Sequence, residues 1–313
     1  MTRPTLISDV EEVSLNDPPA PGLWRGAFSR LIRRKSGVAG LVIIGFIILV
    51  AIFAPLIAPF SPTENFIGEP NTTRRDPPCV HMFGCDEDLP EHIMGLDGNA
   101  RDQFSRVVYA SRVSLSVGLS TVAIAFTIGS TLGAIAGFWG RWIDNIIMRV
   151  MDVILGFPAL LLAIGIVAAL GPGLRNTLLA IAIVSIPQYA RVMRASVLAV
   201  KEEEFVAASR ALGASKWRVL RTRVVPNTLT PLVVIGTLGI ASAILDAAAF
   251  GFLGLGAQPP TAEWGSMLAD ERQQIFSAPH LVFFPGIAIM ITVLGFNLLG
   301  DGLRDALDPS LNE

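Results

Sequence analysis

The chain is short of groups that ionise. Only 16% of its 313 residues are charged, against roughly 25% in a typical soluble domain. Lysine occurs at Lys35, Lys201 and Lys216 alone. None of them follows a glycine, so there is no G-x-x-x-x-G-K-S/T phosphate loop and no cradle of that kind for ATP. Within the long apolar stretches only Asp246 is an acid set well inside. A proton- or sodium-coupled carrier is expected to hold intramembrane ionisable groups, and one acid is thin support for it. Asp246 either faces a watery substrate path or hydrogen-bonds a neighbouring helix. No Ser/His/Asp or Cys/His set and no H-E-x-x-H helix lies in these stretches, which argues against an intramembrane hydrolase. The first 28 residues are polar and acid-bearing and lack a short apolar core before a cleavage site, so they do not read as a secretory signal. They read as a flexible tail ending in an interfacial turn around Trp24 and Phe28.

What remains is apolar. Hydrophobic residues make up 52% of the chain and the mean hydropathy is +0.57, which points to lipid as the solvent. A spanning helix needs about 20 apolar residues. Six stretches qualify: 38–58, 113–138, 146–170, 177–192, 232–255 and 281–299. Pro158 and Pro187 fall inside the third and fourth, where they are expected to kink the helices. The expected fold is all-α and polytopic, with six transmembrane helices.

Basic residues orient it. Arg25, Arg30, Arg33, Arg34 and Lys35 crowd the entry to the first span, which places the N-terminus in the cytoplasm. Alternation then places both termini and the basic segment 205–226 inside. The expected divisions are a cytoplasmic tail at 1–36, a first span at 37–60, an extracytoplasmic loop at 61–111, a five-helix core at 112–304 with a cytoplasmic loop at 201–226, and a cytoplasmic tail at 305–313. The outer loop holds both cysteines and would face an oxidising space. A Cys79–Cys85 disulfide is the preferred reading. Two free thiols, or a metal site of Cys79, His81, Cys85 and His92, are the alternatives, although that spacing is not an established zinc pattern.

The segment "FVAASRALGASKWRVLRTRVVP" at 205–226 is basic yet periodic. Phe205, Ala208 and Leu212 stand at i, i+3 and i+7, one apolar stripe on a short helix. Gly213 permits the positive φ that ends such a helix. Trp217, Leu220 and Val224 repeat the spacing, with Lys216, Arg218, Arg221 and Arg223 on the other faces and Pro226 closing the segment. Periodicity alone leaves two readings: the pair lies on anionic lipid, or it fills a groove on a partner.

This stretch resembles the cytoplasmic EAA loop of ABC-importer permeases, in which E-A-A, three residues, Gly, nine residues and I-x-L-P follow one another. Here Ala207-Ala208-Ser209, Gly213 and Arg223-Val224-Val225-Pro226 hold those places. The likeness continues in "HIMGLDGNARDQFSRVVYASRVSL", in "RVMDVILGFPALLLAIGIVAALGPGL" and in "FLGLGAQPPTAEWGSMLAD". Together these blocks look like the C-type permease of the dipeptide/oligopeptide branch. Two departures touch ligand-facing regions: that branch has its fifth-span acid one position later than Asp246, and the cysteine-bearing insertion near 72–89 is atypical.

The resemblance implies the type I ABC-importer permease fold and a chain that is not itself an enzyme. It implies a bacterial inner-membrane protein that pairs with a homologous B-type permease. Two cytoplasmic ATP-binding subunits would hold ATP and Mg, and an extracytoplasmic substrate-binding protein would deliver peptide. No cofactor, metal or nucleic acid is implied for this chain. Phe205, Ala208, Arg210, Leu212, Gly213 and Trp217 would form the ATPase-coupling element, with Arg210 either meeting an acidic rim or solvated. Asp246 is the candidate for the substrate path. Import of nickel, a metal chelate, glutathione or another small solute is the alternative in the same class, and an ion-coupled secondary carrier the alternative outside it.

Overall fold

The computed structural model describes residues 23–307, so most of the tail expected at 1–36 and the last six residues of the chain lie outside it. The described chain is helical. In order the helices are α1 Leu23–Leu31, α2 Lys35–Ile52, α3 Ala54–Ile57, α4 Gln103–Trp139, α5 Arg141–Leu155, α6 Ala159–Leu170 and α7 Leu174–Val200. Then come α8 Glu204–Ala211, α9 Lys216–Val219, α10 Val225–Asn227, α11 Leu229–Phe252, α12 Trp264–Glu271 and α13 His280–Leu307. Five of them are long and apolar enough to cross a membrane; the bent pair α5 and α6 would make a sixth span if counted as one.

That pair corrects the expected third span. Stretch 146–170 is not one kinked helix but two helices inclined at 89°. Pro158 has no N–H for the helical ladder and its ring clashes with the preceding turn. Here it caps α6 with extended backbone instead. The two halves have 15 and 12 residues, too few at ~1.5 Å each to cross a ~30 Å hydrocarbon core. Pro187, by contrast, is buried inside an unbroken α7.

Other boundaries differ as well. α4 begins at Gln103, within the stretch 61–111 expected as loop. The cause is the side chain of Asp102, which accepts the Ser105 N–H at 2.7 Å and caps the helix. α7 continues to Val200, eight residues past its expected end. Its arginines are matched by acids on α5: Arg194 Nε lies 2.5 Å from Asp144 and Arg191 Nη2 lies 2.6 Å from Asp152. α13 runs to Leu307 and takes in the start of the expected C-terminal tail. α2 stops at Ile52, and Pro55 opens the short α3.

Apolar burial cannot drive one helix onto another in lipid, so close packing of small residues does. Gly129, Gly133 and Gly137 stand four apart on one face of α4. A side-chain carbon at any of them would meet the α7 backbone carbonyl of Ile186, Ala190 or Arg194, at 2.7 Å for Gly129 and 2.9 Å for Gly137. The α7 carbonyls have the same spacing, so the two helices mesh over two turns. α2 docks on α13 in the same way: a carbon on Gly40 would lie 2.5 Å from the Leu299 nitrogen.

Gly133→Leu is expected to separate α4 from α7 and destabilise the detergent-solubilised protein by at least the ~1–3 kcal/mol typical of overpacking. Gly45→Leu, whose added Cβ would meet nothing within 4 Å, is expected to leave the melting temperature unchanged. Thermal melts of the two variants beside the wild type check this.

Candidate functional site

The segment between α7 and α11 is built around a helix terminus. α8 ends at Ala211 with Leu212 as its C-cap, and Gly213 takes φ +82°. The Gly213 N–H donates to the Arg210 carbonyl at 3.0 Å, and the Ala214 N–H donates to the Ser209 carbonyl at 3.2 Å. This is the Schellman pattern, which satisfies the last carbonyls and turns the chain sharply. Ser215 then caps α9 by accepting from the Arg218 N–H at 3.4 Å. From Leu220 to Val224 the backbone widens into a π-turn before entering α10.

Val206 anchors α8. It is fully buried in a cluster with Ala134, Met193, Val197, Val219, Leu220, Val224 and Leu232. The expected stripe Phe205, Ala208, Leu212 falls on the opposite side and is exposed as a set, with Leu212 at 89%. Sequence reasoning missed Val206. Its signal was its position one residue off the stripe, where a helix needs a contact with its own protein. The second stripe does not survive as one face. Trp217 is exposed while Leu220 and Val224, at the two ends of the π-turn, are internal. Arg210 lies with its guanidinium 5.6 Å from the centre of the Phe138 ring, a cation–π contact within the chain. Lys216, Arg218, Arg221 and Arg223 are exposed.

Asp246 lies on α11, with Ser242 one turn before it. Both are exposed, whereas Ala243, Ile244, Ala247 and Ala248 on the other side are buried. The carboxylate borders a cavity of ≈ 240 Å³ that also contacts Ser185 and Gln188 of α7 and the elbow between α5 and α6, at Leu155, Ala159 and Leu160. None of the ion pairs among the described residues includes Asp246. A charged side chain in the hydrocarbon core is costly, so an ionised Asp246 favours water or another protein over lipid at this face of α11.

At the end of the bundle away from α8, loop 61–102 is stitched to α12. Asp97 accepts from the backbone N–H groups of Asn99 and Arg101 at 2.8 and 2.9 Å. Its other oxygen meets Arg101 Nε at 2.7 Å and Arg106 Nε at 3.2 Å. Glu271 of α12 accepts from Gly98 N–H at 2.7 Å and from Arg75 Nε at 2.8 Å. Glu263 caps α12 through Gly265 and Ser266 N–H and accepts from Ser114 Oγ at 3.3 Å. Burial holds its carboxyl above the ordinary value against those three bonds. Cys79 and Cys85 are bonded to each other with Cα atoms 5.4 Å apart. The alternative metal quartet is not assembled: His92 Nδ1 pairs with Asp102 at 2.9 Å, and His81 Nε2 meets the Leu89 carbonyl at 2.9 Å.

Residues 129–313 match the family of binding-protein-dependent transport system inner membrane components, and residues 22–78 match the N-terminal transmembrane domain of oligopeptide transport permease C. The chain is 49% identical over 302 residues to the dipeptide transport system permease protein DppC of Alkalihalophilus pseudofirmus, covering 95% of each. The chain belongs to this permease family. It is a multi-pass inner-membrane permease subunit of an ABC importer, and it couples to a cytoplasmic ATPase partner. It is also 40% identical to the glutathione transport system permease protein GsiD of Pectobacterium atrosepticum over 288 residues, covering 92% of this chain and 91% of that one. Among solved structures, a chain of the inward-facing methionine ABC transporter MetNI shares the fold at a TM-score of 0.54 and 19% identity, covering 66% of this chain and 97% of that one.

Glu271→Ala in the permease is expected to unfasten loop 61–102 by removing two charge-assisted bonds, each worth ~1.5–3 kcal/mol. Hydrogen exchange should quicken at Gly98 and across 95–101, while the amides of α7 keep their wild-type protection.

Proposed function

We propose that this permease imports di- or oligopeptides, and that Phe205, Ala208, Leu212 and Trp217 form the face that docks on a cytoplasmic ATP-binding subunit. The observation that carries the docking assignment is the exposure of that apolar set on a helix held from behind by Val206. A basic rim of Lys216, Arg218, Arg221 and Arg223 surrounds it. The peptide class is supported by the 49% identity to a dipeptide permease, higher than that to the glutathione permease.

In this reading both termini and the α8–α10 segment are cytoplasmic and loop 61–102 is extracytoplasmic. A homologous second permease covers the Asp246 face of α11, and the translocation path runs between the two. ATP and Mg are held by two partner subunits, and an extracytoplasmic binding protein presents the peptide to the outer end, where the Cys79–Cys85 bond suits an oxidising compartment. The chain's own contribution is mechanical. Movement of α8 reaches Val219, Leu220 and Val224 through the shared buried cluster, and from there passes along the backbone into α11, which carries Asp246. Arg210 stiffens the link by resting on Phe138 at the end of α4.

Gly213→Val tests the lever. The left-handed backbone at φ +82° disfavours a side chain by ~1–2 kcal/mol, although space around it is open. In the purified four-subunit importer the variant is expected to assemble but to lose ATP hydrolysis stimulated by loaded binding protein. Leu212→Asp is expected to lose the ATP-binding subunits on purification. Wild-type stimulation in Gly213→Val, together with intact assembly in Leu212→Asp, would remove the docking role.

A further inference from the structure

Among the described residues Asp246 pairs with no cation. Arg191, one turn along α7 from Gln188, is already held by Asp152 at 2.6 Å. Arg194 is held by Asp144. Neither arginine contributes to the cavity beside Asp246. Its lining combines Asp246 with Ser185, Ser242 and Gln188 and with apolar residues that include Leu155, Leu160 and Phe250. An anion set among neutral hydrogen-bonding groups and apolar side chains is complementary to a primary ammonium carried next to a small side chain.

The position supports the same conclusion. The cavity lies beside the elbow where the α5–α6 pair turns through 89°, and Leu155 and Ala159, the helix ends on either side of that break, help to line it. Discontinuous helices at membrane depth are where carriers place ligand sites, since irregular backbone is tolerated there only beside protein or a water-filled space. At ≈ 240 Å³ the space lies below the usual ~300–1,000 Å³ of a ligand pocket. It therefore receives one end of a peptide and leaves the remainder to the wider path.

We propose that Asp246, with Gln188, Ser185 and Ser242, forms a subsite in the translocation path that receives the α-ammonium group of the incoming peptide. This rests on the peptide-import reading above and adds to it the end of the substrate that is recognised and the residue that recognises it. No covalent step is involved. The carboxylate accepts hydrogen bonds from the ammonium, and the three neutral groups orient it.

The test uses the complete importer in proteoliposomes with its binding protein saturated by one of two probes: dialanine, or the analogue in which a hydroxyl replaces the α-amino group. Asp246→Asn is expected to lower dialanine uptake by at least about tenfold, the loss of one charge-assisted contact, while leaving uptake of the hydroxy analogue at the wild-type rate. Asp246→Glu is expected to restore most dialanine uptake. Subunit composition should match wild type in both variants. Equal losses for the two probes would overturn the proposal and assign Asp246 to a cation on the second permease or to helix packing. Wild-type dialanine uptake in Asp246→Asn would overturn it while leaving peptide import intact. A wild-type importer that transports neither probe nor any other peptide would overturn the peptide-import reading, and the subsite with it.

Discussion

The meshing of three glycines on α4 with three carbonyls on α7 is the constraint from which the rest of the permease follows. In lipid, helices gain nothing by hiding apolar surface from one another, so contact must come from fit. Gly129, Gly133 and Gly137 provide it by leaving the α7 backbone nothing to collide with. That contact fixes the height and rotation of α7. One stretch of the same helix then presents Ser185 and Gln188 to the Asp246 cavity, and its last turns present Met193 and Val197 to the cluster beneath α8. The proposed substrate subsite and the proposed ATPase-docking element thus rest on two regions of one continuous helix.

Ion pairs gather at a few places. Asp144 and Asp152 tether α5 to α7, Asp97 gathers Arg101 and Arg106, and Glu271 ties α12 to Arg75 and Gly98. The Glu271 bonds join residues 173 and 196 positions apart, so at the end of the bundle away from α8 loop 61–102 is fastened to α12. Two other features stand apart from these bonds, the exposed apolar face of α8 and the carboxylate of Asp246.

Much of this was legible in the sequence, for definite reasons. The long apolar stretches announced α2, α4, α7, α11 and α13, because a spanning helix must be apolar along its whole length. Gly213 announced its own turn, because few other residues adopt that backbone. The break at Pro158 was underestimated: a proline says that the helical ladder is interrupted and does not say through what angle. The extension of α7 past Arg191 and Arg194 was hidden because the acids that tolerate those arginines lie on a different helix, about 40–50 residues earlier in sequence. The block "GLDGNARDQFSR" was readable as a family likeness only. Its physical meaning, a capped helix start beneath a knot of ion pairs, depends on Arg75 and on α12, which the sequence keeps far away.

The elbow between α5 and α6 has a consequence for the life of the chain before it joins its complex. Two half-length helices meeting at 89° interrupt the helical ladder around Gly156–Pro158, and hydrocarbon offers nothing to the peptide groups freed there. Such a bend is tolerated only under a cover of protein or water. Covered as proposed by the second permease, the bend would be hidden in the complex and bare in a newly made copy, a difference that would mark an orphan subunit for removal.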